Sequence, residues 1–158
     1  MNYQTDFSGY IKKGGCLLFS LFRIAELESG WVLSRSIILD LMDELHLKIR
    51  ASYNKLLPAI SDENDVNKMG VFVHDHEAVL NRALKQLSCK IRFKYTGRLY
   101  VPDEEIKGYK SFGKFGGDYV VYQIQTPYSG HFRLANYDPY QPETEFVRLK
   151  SLRFYTRK

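Results

Sequence analysis

The sequence contains little cysteine and no long apolar run. Only Cys16 and Cys89 occur among 158 residues, and one possible bridge is poor evidence for a disulfide-stabilised secreted scaffold. No stretch reaches the roughly eighteen apolar residues of a membrane-spanning helix. The first residues, Met1 to Asp6, lack the basic and then apolar run of a signal peptide. We therefore expect a cytoplasmic protein in a reducing compartment, with no membrane partner.

The chain also lacks low-complexity segments, internal repeats and any block of like charges. Its net charge of +5 comes from basic residues that are spread along the sequence, which argues against a nucleic-acid partner. Hydrophobic residues make up 44% and aromatic residues 15% of the chain, enough for a core and too much for a disordered protein. Residues 1–158 are expected to form a single domain and a monomer.

The most informative stretch begins at Gly14-Gly15-Cys16 and continues as an apolar run to Glu26. Apolar residues recur along it at spacings of three and four, which predicts a helix that is buried on most sides. The two glycines allow a sharp turn that leaves Cys16 in the first helical turn, where the helix dipole favours thiolate over thiol. The alternative is that Cys16 is a small buried hydrophobe, as most free cysteines are.

Helical patterns continue through the first half of the chain. Residues before Gly14 include several turn formers and predict an extended arm that leads into the first helix. That helix is expected to end at Gly30, and Ser34 or Ser36 can cap the next one. The further helices that apolar spacing predicts span residues 37–45, 49–57 and 77–87.

After Ser88 the pattern changes to an alternation of apolar and polar residues, which is typical of strands. The predicted strands span residues 89–95, 98–101, 119–125, 130–134 and 146–155. Thr96-Gly97 is predicted to be a turn between the first two, and Lys107 to Gly117 a loop. Helices followed by strands predict an α+β domain in which a central buried helix packs on a mainly antiparallel sheet.

A thiol at a helix start becomes an efficient nucleophile when a histidine takes its proton and a third polar group orients the imidazole. His131 begins a predicted strand, and Asp138 follows seven residues later. Residues seven apart on one straight strand face opposite sides, so Asp138 reaches His131 only if the chain turns near Ala135-Asn136. Asn136 is the alternative orienter, because its amide oxygen can also accept from the ring.

The run His74-Asp75-His76-Glu77 contains metal-binding residue types. Asp75 and Glu77 are also the residues expected at a helix N-cap and in a first helical turn. We favour the capping role, because no other histidine or cysteine has a matching spacing. No metal site is therefore predicted.

The chain resembles the papain-like cysteine peptidases. The likeness lies in a Gly15-Cys16 step that opens an apolar helix, a helical first half, and a later Gly130-His131-Phe132 followed by Tyr137-Asp138-Pro139. It resembles most the peptidase C39-like group, in which a cysteine at the head of the central helix meets a histidine and an aspartate from the sheet. Gln4-Thr5-Asp6 and the run from Val71 to Asp75 are also similar to the DUF261-type family of Borrelia and phage-like proteins.

The resemblance implies a papain-like fold and a role for each site residue. Cys16 would be the nucleophile, His131 the general base and acid, and Asp138 the group that orients His131. Gln4 would donate to the oxyanion alongside the backbone amide of Cys16. The substrate would be a peptide or protein, and no cofactor would be needed.

The expected function is therefore that of a cysteine peptidase or related amide hydrolase. The main alternative is a non-catalytic papain-like binding module, of phage or plasmid origin, that contacts a protein partner. In that case Cys16 would be buried and His131 too distant to bond it. A weak nucleic-acid binder is a third alternative, which would use residues 107–117 and a basic C-terminal strand. The basic residues of that strand are Arg148, Lys150, Arg153, Arg157 and Lys158.

Overall fold

The computed structural model describes residues 1–7, 9–47, 49–52, 55–61, 71–100 and 118–158. A short 3-10 helix at Gln4–Asp6 precedes the longer elements. The α-helices are α1 (Gly9–Gly14), α2 (Cys16–Ser29), α3 (Arg35–Leu47) and α4 (His76–Gln86). The strands are β1 (Ile49–Ser52), β2 (Lys55–Pro58), β3 (Phe93–Tyr100), β4 (Tyr119–Gln125), β5 (Gly130–Arg133) and β6 (Arg148–Arg157).

The main sheet is antiparallel, with the strand order β3-β6-β4-β5. Helix α2 packs against β4, β5 and helix α4, and α4 also packs against β3. One large apolar cluster fills the space between these helices and the sheet, and a smaller cluster lies around Tyr122 and Leu152. The predicted α+β class, with helices first and an antiparallel sheet after them, is confirmed.

Helix α2 lies at the centre of the core. Its side chains from Leu17 to Phe22 are all buried, and Ile24 and Ala25 are fully so. Gly15, directly before the helix, lies close to the backbone of α1: a Cβ added at Gly15 would lie only 2.7 Å from the carbonyl oxygen of Ile11. None of the described helices is long and apolar enough to cross a membrane.

Two segments differ from the sequence-based expectation before helix α4. The predicted extended arm instead forms the 3-10 helix and α1. The predicted helix over residues 49–57 is instead the β1–β2 hairpin, in which Ile49 pairs with Pro58 and Ser52 with Lys55. A nine-residue segment is too short to be a stable helix by itself, and Asn54 near its middle is a turn former whose signal we overlooked.

The first sheet strand also differs in its limits. It begins at Phe93, not Cys89, because the N–H of Cys89 donates to the carbonyl of Leu84 at the end of α4 (3.0 Å) and Arg92 bonds the carbonyls of Cys89 (2.6 Å) and Ile91 (2.8 Å). The side chain of Asn81 bonds the N–H (2.7 Å) and the carbonyl (2.9 Å) of Phe93 itself. Thr96-Gly97 is not a turn between two strands; it lies at a bulge within β3, where Gly97 has φ +132°. The predicted loop from Lys107 to Gly117 lies outside the described residues.

The end of helix α2 allows a test of backbone strain. Gly30 has a left-handed conformation, with φ +79°, and nothing lies within 4 Å of a Cβ built there. We expect Gly30→Ala to lower the free energy of unfolding by about 1 kcal/mol, through conformation alone. Gly30→Asn should lose less, because asparagine tolerates this region better. Urea unfolding measures both, and an unchanged Gly30→Ala variant would contradict the explanation.

Candidate active site

His131 and Asp138 are brought together by a tight turn after strand β5. The N–H of Leu134 donates to the carbonyl of Tyr137 at 2.9 Å, so the chain reverses at Ala135-Asn136. The carboxylate Oδ1 of Asp138 then lies 2.6 Å from Nε2 of His131. Both side chains are buried. The sequence predicted that Asp138 could reach His131 only if the chain turned near Ala135-Asn136, and the structure has this turn.

The Asp138 carboxylate accepts several further hydrogen bonds. The backbone N–H of Tyr140 donates to Oδ1 at 2.9 Å, and Thr144 donates to Oδ2 from its N–H (2.8 Å) and its hydroxyl (2.7 Å). Burial by itself would raise the pKa of Asp138, but the hydrogen bonds from His131 and Thr144 outweigh burial and lower it to about 2. Asp138 is therefore ionised at neutral pH.

Cys16 lies close to His131, in the wall of the same cleft. It is the first residue of α2 and is half-buried. Burial by itself would lower the pKa of His131, but the hydrogen bond to Asp138 and the interaction with Cys16 raise it to about 9. His131 is therefore within the electrostatic reach of both residues and is protonated at neutral pH.

A cleft of about 740 Å³ opens in front of these side chains. Cys16 and His131 lie in its wall, together with Gln4 and Lys12 from the N-terminal helices. The remaining wall comes from residues 126–130, Tyr140 and residues 142–145, on either side of the strand and turn that hold His131 and Asp138. The cleft is therefore built where the helical half of the chain meets the sheet.

Gln4 is 1% exposed and lies in the cleft wall. Its Nε2 donates to the carbonyl of Lys12 at 2.9 Å, whereas its Oε1 is buried without a hydrogen-bond partner. The side-chain amide carries two N–H groups, so one remains beyond the bond to Lys12. The backbone N–H of Gln4 also donates to the carbonyl of Pro139 at 2.8 Å. Gln4 is thus anchored beside Asp138.

The other residues singled out from the sequence lie elsewhere. Asn136 is exposed at the turn, and no hydrogen bond joins it to His131 in the described structure. Asp75 caps helix α4 by accepting from the N–H of Ala78 at 3.0 Å. His76 Nδ1 lies 2.7 Å from the hydroxyl of Tyr155, and burial is the main cause that lowers its pKa to about 4. These contacts agree with the capping interpretation of the His74–Glu77 run.

The basic C-terminal strand is not a free cationic stripe. Arg157 forms ion pairs with Glu28 (2.6 Å) and Asp118 (2.8 Å). Arg153 is buried. A cation that is already paired, as Arg157 is, is poorly placed to neutralise a nucleic-acid backbone. The other segment of that alternative, residues 107–117, lies outside the described residues.

Sequence reasoning missed the side chains that support Asp138. Thr144 donates to it as described, and Nη1 of Arg133 lies 3.4 Å from its Oδ2 and 2.7 Å from Oε1 of Glu143. Thr144 carried no signal, since one threonine in a polar stretch is ordinary. Arg133 did carry one, because a charged residue in a short apolar strand needs a buried partner.

This chain matched no family model, no curated protein and no solved structure. The likeness to papain-like and DUF261-type proteins therefore stays a prediction from a few short motifs.

The raised pKa of His131 gives a direct test of this arrangement. We expect Asp138→Asn to lower that pKa from about 9 by roughly one unit or more, because the neutral amide no longer stabilises the imidazolium. Thr144→Val is the matched control, since it removes one hydrogen bond to Asp138 but keeps the charge, and should lower the pKa less. NMR titration of the His131 ring protons measures both. Equal values in Asp138→Asn and the unmodified protein would contradict the assignment.

Proposed function

We propose that this chain is a papain-like cysteine hydrolase that cleaves an amide bond, with a peptide or protein as its substrate. The observation that supports the proposal best is that His131 lies beside both Cys16 and Asp138, in the wall of an open cleft. A nucleophile, a base and a group that orients the base are the three parts that covalent acyl transfer requires. All three come from this chain.

The hydrogen bond from Nε2 assigns the protons on His131. An ionised Asp138 can only accept, so Nε2 carries a proton and donates it at 2.6 Å. Nδ1 is then the nitrogen that exchanges a proton with the Cys16 thiol. Because the pKa of His131 is about 9, the ring holds a second proton at neutral pH. The reactive form of a cysteine is the thiolate, and a neighbouring cation stabilises that form.

The reaction follows from these positions. The thiolate of Cys16 attacks the amide carbonyl carbon and forms a tetrahedral intermediate whose oxygen carries the negative charge. His131 gives its Nδ1 proton to the leaving amine as the C–N bond breaks, which leaves a thioester on Cys16. Neutral His131 then takes a proton from water, the resulting hydroxide attacks the thioester, and the carboxylic acid leaves. Cys16 and His131 return to the ion pair.

Gln4 is the side chain best placed to stabilise the oxyanion. The side-chain amide of Gln4 is held in place by the hydrogen bond from its Nε2 to the carbonyl oxygen of Lys12 (2.9 Å), and its second N–H is available in the cleft wall. The backbone N–H of Cys16, in the first turn of α2, is the natural second donor because the first N–H groups of a helix lack intrahelical acceptors. A donor that is already fixed in place loses little entropy in the transition state.

Alkylation of the two cysteines tests the nucleophile. Both are half-buried, but only Cys16 lies beside His131. We expect iodoacetamide at mildly acidic pH to modify Cys16 at least about tenfold faster than Cys89, because the imidazolium maintains the thiolate. Mass spectrometry of the digested protein measures both rates in one sample.

The variant His131→Ala should remove the difference between the two cysteines. Cys16→Ser should leave label on Cys89 alone and abolish hydrolysis of a fluorogenic peptide library. If the two cysteines react alike in the unmodified protein, the nucleophile is misassigned. Fast alkylation of Cys16 without any peptide hydrolysis would instead support the non-catalytic binding module.

Gln4→Ala separates the oxyanion role from positioning of the nucleophile. We expect kcat for peptide hydrolysis to fall about 100-fold, as on loss of one oxyanion donor. The alkylation rate of Cys16 should stay unchanged, because displacement of iodide creates no oxyanion. A parallel fall in both rates would mean that Gln4 holds Cys16 in place instead of binding the oxyanion.

A further inference from the structure

A pair of arginines lies on the helix-facing side of the sheet. Arg98 on β3 is directly opposite Arg153 on β6 in the strand register. Like charges that face each other across neighbouring strands destabilise a sheet. In the described part of the chain, neither guanidinium lies within ion-pair distance of a carboxylate. Ion pairs among the described residues therefore do not account for this arginine pair.

Arg153 is the more unusual member because it is only 8% exposed. Its Nη1 donates to two neutral acceptors, Oγ of Ser151 (2.8 Å) and Oε1 of Gln123 (3.3 Å). The Nε and Nη2 groups, with three N–H donors between them, have no acceptor among the described residues. Burial of a guanidinium is costly unless a charge or strong acceptor compensates it.

The residues that surround the arginine pair lie next to one another across the four strands of the sheet. Ser151 is in register with both Tyr100 and Gln123, and Gln123 is in register with Phe132. The Phe132 ring lies under Arg153, with the guanidinium carbon 4.5 Å from the ring centroid. The exposed Tyr100 ring packs against Arg98 at 4.7 Å. Contact with an aromatic ring stabilises a guanidinium group without consuming its N–H donors.

The side chains around the arginine pair are therefore rich in donors and poor in acceptors. Nε2 of Gln123 adds a further donor that has no partner among the described residues. The groups near Arg153 that could carry negative charge are tyrosines, and the hydroxyl of Tyr155 is already taken by His76 at 2.7 Å. Tyrosine hydroxyls are neutral at physiological pH. The local charge of two guanidinium groups thus lacks compensation from the described residues.

We propose that the arginine pair of Arg98 and Arg153, with Gln123 and Ser151, forms a binding site for a phosphate monoester dianion. Two guanidinium groups match the charge of a dianion, and the planar N–H fork of arginine matches the geometry of phosphate oxygens. Arg153 and Gln123 form the floor of the site, and Arg98 closes the exposed side on the edge strand. The site is independent of Cys16, and its test needs no hydrolytic activity.

Isothermal titration with inorganic phosphate, near neutral pH and at fixed ionic strength, tests the site in the full chain. We expect saturable binding that Arg98→Gln weakens about tenfold or more, because a charge-assisted hydrogen bond is lost. Lys94→Gln is the matched control: Lys94 is an exposed cation of the same strand that lies opposite Thr156, outside the site. The affinity of the Lys94→Gln variant for phosphate should stay within about twofold of the affinity of the unmodified protein, as expected when a distant surface charge is lost.

Two further measurements make the outcome decisive. Arg153→Lys, which keeps the charge but loses the fork, should weaken binding about as much as Arg98→Gln; if it fails to fold, Arg98→Gln carries the test because Arg98 is exposed. Acetate, a monoanion, should bind more weakly than phosphate at equal ionic strength. The proposal would be overturned if phosphate bound no more tightly than acetate. It would also be overturned if Arg98→Gln and Lys94→Gln lowered the affinity for phosphate equally.

Discussion

The buried carboxylate of Asp138 is the constraint on which the local structure depends. A carboxylate in the protein interior needs hydrogen-bond donors for its oxygens and a positive charge nearby. Asp138 obtains these from His131, Thr144 and the N–H of Tyr140. These groups fix the turn after β5, the path of residues 138–144 and the angle of the imidazole together. Any one of them out of place would leave a buried charge partly unsatisfied.

The two halves of the chain contribute different things to the cleft. The helical half supplies a thiol at the start of a rigid, buried helix, and the sheet supplies the imidazole and its carboxylate on a short strand and turn. Neither half contains a complete site. The N-terminal residues are fastened to the second half by the bond from Gln4 to Pro139 and by the hydroxyl of Tyr137, which donates to the carbonyl of Asn2 at 2.9 Å.

Sequence patterns located most helices and strands and proposed the residues of the site, because periodicity and the chemistry of Cys16, His131 and Asp138 are local properties. They failed where tertiary contacts decide. Residues 49–57 have apolar content that suits either a helix or a hairpin, and β3 begins where Asn81 bonds Phe93. Thr144 could not be foreseen, since its role exists only after the turn brings Asp138 beside it. The arginine pair required the strand register, which no pattern in a single sequence provides.

The wide separation along the chain between Cys16 and the pair of His131 and Asp138 has a consequence during synthesis. The helix that carries the thiol leaves the ribosome well before the imidazole and its carboxylate, because a long stretch of chain separates Cys16 from His131 and Asp138. Closing so long a loop is slow compared with forming local helices. A growing chain therefore exposes a cysteine that has no base beside it. The proposed pairing of Cys16 with His131 therefore cannot form until the sheet docks on the helix.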